Sequence, residues 1–359
     1  MNKEAIQLHQ QGVELQQRGA LREAAEAYQA ALALDPRLEL TRSNLAMAHY
    51  QLGEIEQAIF HYKQLLADHP LNVKARYNLG VVYASIGRYE QAIGEYRQVL
   101  HHEAGHAMAL NNLAWILGQQ QRYGEAIAAL ERLLEINPGD TAVLFQLGQL
   151  HKLTGNPAQA ETYWRTVATV DPRHVQALLA MAEAARQRQD WHGTLKWALE
   201  ALGADANHPA AQIMAARAHM HLMEYQQATD LLMALGRKHP NLAEVRFHLG
   251  SLHHTLDRLP EARHHLAEAV RLGDNTHFEY HNEYGTVLYR LGEYDDAAEQ
   301  FREAEGLAPD NAVIKANLGF TYMMLGERDA AGQYFEAFMS NPEASEAVRL
   351  SVRCALDLL

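Results

Sequence analysis

His102, Glu103 and His106 stand in the order His-Glu-x-x-His. On a helix this spacing sets two imidazoles one turn apart around a zinc ion, with the glutamate as base. Hydrolysis by zinc is the chemistry such a set would perform. Gly105 falls inside the pentapeptide and opposes a continuous helix there, so a zinc hydrolase is the remotest reading. A second concentration comprises His248, His253, His254, His264 and His265, with His277 and His281 just after. His253 and His264 are expected on facing helices, but no carboxylate or thiol completes a ligand set with them, so buried or surface imidazoles are expected. A pH-sensitive interface is the alternative use of so many imidazoles. Cys354 is the one cysteine, which leaves no disulfide to form, and it is expected to be buried in a terminal helix rather than to act as a nucleophile. No phosphate-cradling glycine loop, nucleophile elbow or dinucleotide fingerprint occurs. The residues therefore predict no catalytic group, no cofactor and no bound metal.

A different chemistry recurs at fixed distance. Asn44, Asn78, Asn112 and Gln146 follow one another every 34 residues, and Asn317 returns to the same slot near the end. An amide side chain is both donor and acceptor, so it can pair with the backbone of an extended peptide whatever that peptide's sequence. Tyr77, Asn111, Trp115, Phe145 and Gln149 are expected on the same face, the rings supplying apolar area at low ordering cost. A solvated helix residue is the plain alternative for each amide, and packing against a neighbouring repeat is the alternative for Trp115. The slot changes to Ala180 and Met214 further on. There Ile213, Met214, Arg217, Met220 and His221 predict either a second, less polar contact zone or a better-buried middle.

What must position these residues is a 34-residue repeat. Starts fall at 5, 39, 73, 107, 141, 175, 209 and 243, and one extra residue near Gly273 moves the last two to 278 and 312. Position 8 of this frame is Gly or Ala in all ten repeats, from Gly12 and Ala46 to Gly285 and Gly319. Position 20 is Ala in every repeat except at Thr194. Position 24 is a ring in six repeats: Tyr28, Tyr62, Tyr96, Trp164, Phe301 and Phe335. Proline recurs near position 32, as at Pro36, Pro70, Pro138 and Pro172. Apolar spacing within each repeat is helical, and glycine at mid-repeat (Gly53, Gly87, Gly155, Gly292, Gly326) divides it into two helices. Small residues at 8 and 20 let the two helices approach, the ring at 24 fills space between neighbouring hairpins, and the proline stops the second helix. One hairpin cannot bury its own apolar face, so the units must stack.

These residues resemble the tetratricopeptide repeat (TPR) family over residues 5–345. The resemblance implies an all-α fold, a right-handed α-α superhelical solenoid of about ten hairpins over residues 1–345. Residues 346–359 then form a C-terminal capping helix, with Ser345 as its cap and Ala347, Val348, Leu350, Val352, Ala355 and Leu356 covering the last repeat. In the family the first helix of each repeat lines the concave face, through positions 2, 5, 6, 9, 12 and 13. The amide slot looks like the asparagine ladder of the long TPR superhelices that hold extended peptides. The two-carboxylate clamp of chaperone-binding members is not matched: the required positions carry His9, Val13, Asn44, Lys74 and Asn78, and the paired cations are missing.

Composition narrows the function classes. A net charge of −13 with no basic run argues against nucleic acid as partner. No apolar stretch is long enough to insert in a membrane, and MNKEAIQLHQQG lacks the apolar core of a secretory signal; with one cysteine this predicts a cytoplasmic protein. The expected function is a non-catalytic scaffold or adaptor that holds an extended segment of another protein in its concave groove, centred on repeats 2 to 5. The alternative is a self-assembling structural protein of a bacterial assembly or secretion machine, pairing through its end faces as a homo-oligomer. Leu358 and Leu359 at the terminus would either self-associate or mark a cut from a longer chain.

Overall fold

The computed structural model describes residues 2–273, 276–342 and 344–358; Leu359 lies outside them. Among the described residues there are 21 helices and no strand. They divide into two compact units, Met1–Pro172 and Arg173–Leu359. The first contains α1 (Lys3–Gln17), α2 (Leu21–Leu34), α3 (Glu39–Gln51), α4 (Ile55–Asp68), α5 (Val73–Ser85), α6 (Tyr89–His102), α7 (Ala107–Gln119), α8 (Tyr123–Ile136), α9 (Thr141–Leu153) and α10 (Pro157–Val170). The second contains α11 (Val175–Gln187), α12 (Trp191–Ala204), α13 (Pro209–His221), α14 (Tyr225–Lys238), α15 (Ala243–Thr255), α16 (Leu259–Leu272), α17 (Phe278–Leu291), α18 (Tyr294–Leu307), α19 (Ala312–Leu325), α20 (Arg328–Met339) and α21 (Glu346–Leu356). Within each unit every odd helix packs on the even helix that follows, and each hairpin packs on the next.

The close approach inside a hairpin depends on position 8. A Cβ on Gly80 would stand 2.7 Å from the Tyr96 ring, and one on Gly148 would stand 2.2 Å from the indole nitrogen of Trp164. The ring at position 24 thus lies over the small residue of its own hairpin, as well as filling the seam to the next. Tyr28, Tyr62, Tyr96, Phe301 and Phe335 are all fully buried there. In the first unit a buried apolar cluster runs from Ala46 to Leu147. In the second, buried side chains gather around Leu232 and Leu249, around Phe301 and Leu318, and around Phe335 and Val352.

The turn within each hairpin is reached through one residue in the left-handed region. Glycine holds it at Gly19, Gly53, Gly87, Gly155, Gly292 and Gly326, but Gln121, Gln189, Met223 and Asp257 hold it at φ of 58–60°. Mid-repeat glycine is therefore one way to make a turn that every hairpin makes. A side chain in this region costs roughly 1–2 kcal/mol. Three of the four residues bearing that cost belong to the second unit.

The end helix departs from expectation in four places. Val352 and Ala355 are buried against the last hairpin, but Ala347 and Leu350 face outward. Cys354 is exposed rather than buried, because its position on the helix turns it away from the face that Val352 and Ala355 share. Ser345 occupies the N-cap position without its side chain accepting a backbone N–H.

Candidate functional site

The His-Glu-x-x-His string does not lie on one helix. His102 ends α6, Glu103 is its C-cap, and His106 is the N-cap of α7, where its Nδ1 accepts from the Ala109 amide at 3.2 Å. The His106 ring also packs on Tyr77 at 5.1 Å between centroids. The two imidazoles sit on either side of a turn, so the i, i+4 relation needed for shared ligation is lost. Among the described residues no group of three His, Cys, Asp or Glu side chains is placed to hold a metal.

His253 faces His265, not His264, which is exposed. The two rings stack at 5.4 Å with an 11° interplanar angle. His49 and His61 form the same pair at the same repeat positions in the first unit, at 5.3 Å and 8°. Burial and the neighbouring imidazole lower the pKa of His61 and of His265 to about 4. Both are thus neutral packing groups at pH 7.

The expected groove residues separate into two sets. In the first set the amide slot lies at the seam between hairpins. Asn112 donates to the Tyr77 hydroxyl at 3.1 Å and to the Tyr96 hydroxyl at 3.3 Å. The Tyr62 hydroxyl has Asn78 and Ser43 as polar neighbours but closes a hydrogen bond with neither. The Tyr28 hydroxyl donates to Gln16 at 2.9 Å with Asn44 beside it. Burial raises the pKa of Tyr62 and of Tyr96 to about 12, so each phenol keeps its proton and needs a polar neighbour. A readable signal existed for this: each of Tyr28, Tyr62 and Tyr96 is followed sixteen residues later by Asn. Sixteen residues before Gln146 stands Leu130, and Gln146 is exposed. Phe301 likewise has no hydroxyl, and Asn317, sixteen residues on, donates instead to Asn282 at 3.0 Å.

The second set faces solvent. Asn111, Trp115 and Gln146 are exposed, while Phe145 and Gln149 are half-buried. Trp115 keeps 55% of its surface open, with the Tyr89 ring edge-on at 6.3 Å. The neighbouring repeat thus covers it only in part. Leu40 (64% exposed) and Met108 (59%) lie at position 2 of α3 and α7, a groove position in the repeat frame. Position 2 of the frame could have found both. In the second unit Ile213 is buried in the core; Met214, Arg217 and Met220 are half-buried; and His221 stacks on Trp191 at 3.6 Å.

Sequence profiles described as "Tetratricopeptide repeat" match residues 43–101, 82–141 and 262–312, and a second such profile matches 119–182 and 288–350. A profile described as "TPR repeat" matches 12–53. No curated protein matches the chain. Among solved structures, the APC/C hetero-tetramer Cut9-Hcn1 is similar with TM-score 0.56 and 12% identity, over 99% of this chain and 97% of that one. Yeast Tom70 is similar with TM-score 0.44 and 15% identity, over 99% of this chain and 95% of that one. Pseudomonas aeruginosa pilF is similar with TM-score 0.44 and 22% identity, over 58% of this chain and 95% of that one. At these identities the likeness is one of fold. Profile matches from residue 12 to 182 and from 262 to 350, on helices that pair hairpin by hairpin, establish that this chain belongs to the tetratricopeptide repeat family.

Proposed function

We propose that the chain is a non-catalytic interaction scaffold whose first unit holds an extended segment of a partner protein along α3, α5, α7 and α9. The observation that carries this reading is the exposure of Leu40, Met108 and Trp115 at groove positions of first helices, beside the open amides Asn111 and Gln146. Large apolar side chains left open beside unpaired amides suit a peptide that offers both backbone and side chains. Asn112 supports the groove from behind by donating to the Tyr77 and Tyr96 hydroxyls, while Asn44 and Asn78 stand beside those of Tyr28 and Tyr62. Asn112 thereby takes a part other than a ligand contact, and Asn44 and Asn78 remain open to a bound peptide. The reading places the protein in the cytoplasm; no helix among the described residues is long and apolar enough to cross a membrane.

The test is selection of peptides from a random displayed library on the full chain, followed by Trp115→Ala and Gln146→Ala. Weaker capture by both variants at unchanged helicity supports the groove; unchanged affinity rejects it. A second reading, self-association through α21, is favoured by Leu350 and Leu358, which are 66% and 73% exposed. Sedimentation at micromolar concentration separates the two, since a monomer there excludes the second.

A further inference from the structure

We infer that the second unit holds a separate cleft that recognises one Asp or Glu side chain of a partner peptide, flanked by an apolar or aromatic residue, with Arg217 as its anchor. The inference shares with the groove reading only the premise that the ligand is a peptide. The cleft encloses about 590 Å³, room for two or three side chains, and Arg217, Glu244, Phe247, His248, His277 and Tyr280 define it.

Arg217 is a cation of this region without a hydrogen-bonded partner among the described residues. It is half-buried on α13, and it makes no hydrogen bond or ion pair among the described residues. Neither neighbouring carboxylate closes a hydrogen bond with it. Glu183 is held by both arms of Arg186 at 2.7 Å, and Arg186 itself repels Arg217. The Glu244 carboxylate attracts Arg217 without closing a hydrogen bond to it, and stands 3.9 Å from His248 Nε2. A guanidinium taken partly out of water with no protein acceptor on its donors favours a planar anion that can accept two parallel hydrogen bonds.

The walls say what accompanies that anion. Phe247 and Tyr280 stack at 4.7 Å and 25°, and Leu242 and Leu272 extend their apolar surface. This wall suits a flat or branched apolar side chain next to the acid. Glu244 and Glu279 lie on the rim and repel a second carboxylate, so a single acid is favoured over an acidic run. The cleft also sits where the repeat frame is irregular. Five residues separate α16 from α17, against four between α14 and α15 and between α18 and α19.

The probe is a random peptide library displayed against the full chain and against Arg217→Gln. Peptides enriched on the parent protein should carry Asp or Glu beside an apolar residue. A synthetic copy should lose about tenfold or more in affinity when its acid becomes the amide, or when Arg217 becomes Gln, with a smaller loss for Arg217→Lys. Glu244→Gln should tighten the same peptide, an effect of opposite sign that loss of folding cannot imitate. Trp115→Ala should leave it unchanged, which separates this cleft from the first-unit groove. The proposal is overturned if no acid-bearing peptide is enriched on the parent over Arg217→Gln, if the amide copy binds equally, if Glu244→Gln weakens binding, or if Trp115→Ala abolishes it.

Discussion

The two units share one backbone plan and solve its seams differently. In the first, three of the rings at position 24 are tyrosines, and an asparagine on the following first helix stands by each hydroxyl. In the second, the corresponding pairs are Ala198 with Met214, Leu232 with His248, Leu266 with Glu283, and Phe301 with Asn317. Their polar members turn to other partners: His248 toward Glu244, Glu283 to His254 at 2.8 Å, and Asn317 to Asn282. A polar residue in the slot therefore takes its role from the element before it. Where a buried hydroxyl waits there, the amide becomes part of the packing; where none does, it is free for a neighbour or a ligand. The turns differ too, since Gln189, Met223 and Asp257 hold left-handed turns in the second unit that the first mostly gives to glycine.

The largest effect expected from breaking this comparison is loss of a seam ring. Tyr62→Ala and Phe301→Ala should each cost about 3–5 kcal/mol in urea unfolding, because both rings are fully buried in equivalent places. A much smaller loss for either would mean that the seams of the two units do not bear equal load. Next comes the amide. Asn112→Ala should cost about 1–3 kcal/mol by leaving the Tyr96 hydroxyl without its amide, and Tyr96→Phe in the same chain should recover part of that loss. A double variant no more stable than Asn112→Ala alone would remove the hydroxyl from the explanation.

Smaller changes are expected at the turns. Met223→Gly and Gln189→Gly should each stabilise by roughly 1 kcal/mol, and Gly53→Ala should destabilise by a similar amount, as read by melting midpoints. The smallest effect concerns acid. The folded pKa of His61 and His265, about 4, lies below the unfolded value of 6.5, so the unfolded chain binds more protons between the two. Their contribution is complete above pH 6.5 and is lost as pH falls toward 4. At pH 5.5 the loss should be on the order of 0.5 kcal/mol per ring, after allowing for solvent screening. Replacing both rings with Phe should flatten the pH dependence; an unchanged slope from pH 7 to 5 would show that these pairs do not carry it.

The repeat was plain from residue types alone, because small residues recur at positions 8 and 20, where the two helices approach, and a ring recurs at 24 in six of ten hairpins. Gly80 under Tyr96 and Gly148 under Trp164 leave no room for an alternative. The open face was partly readable. Trp115, Asn111 and Gln146 fall at groove positions and are exposed, whereas Leu40 and Met108 were missed although they occupy a groove position as well. Spacing puts Asn112 on the first-helix face, but it does not say whether the amide is aimed at the hollow or at a hydroxyl from the preceding helix.

By itself, then, the sequence determined the period, the pairing of helices and the face on which each polar group would emerge, since these follow from helical geometry and side-chain volume. Only the tertiary structure decided which polar groups are already in use. Asn112 is occupied and Arg217 makes no hydrogen bond among the described residues, because hydrogen-bond occupancy depends on a partner brought from another helix at a distance of about 3 Å, which no spacing along the chain specifies.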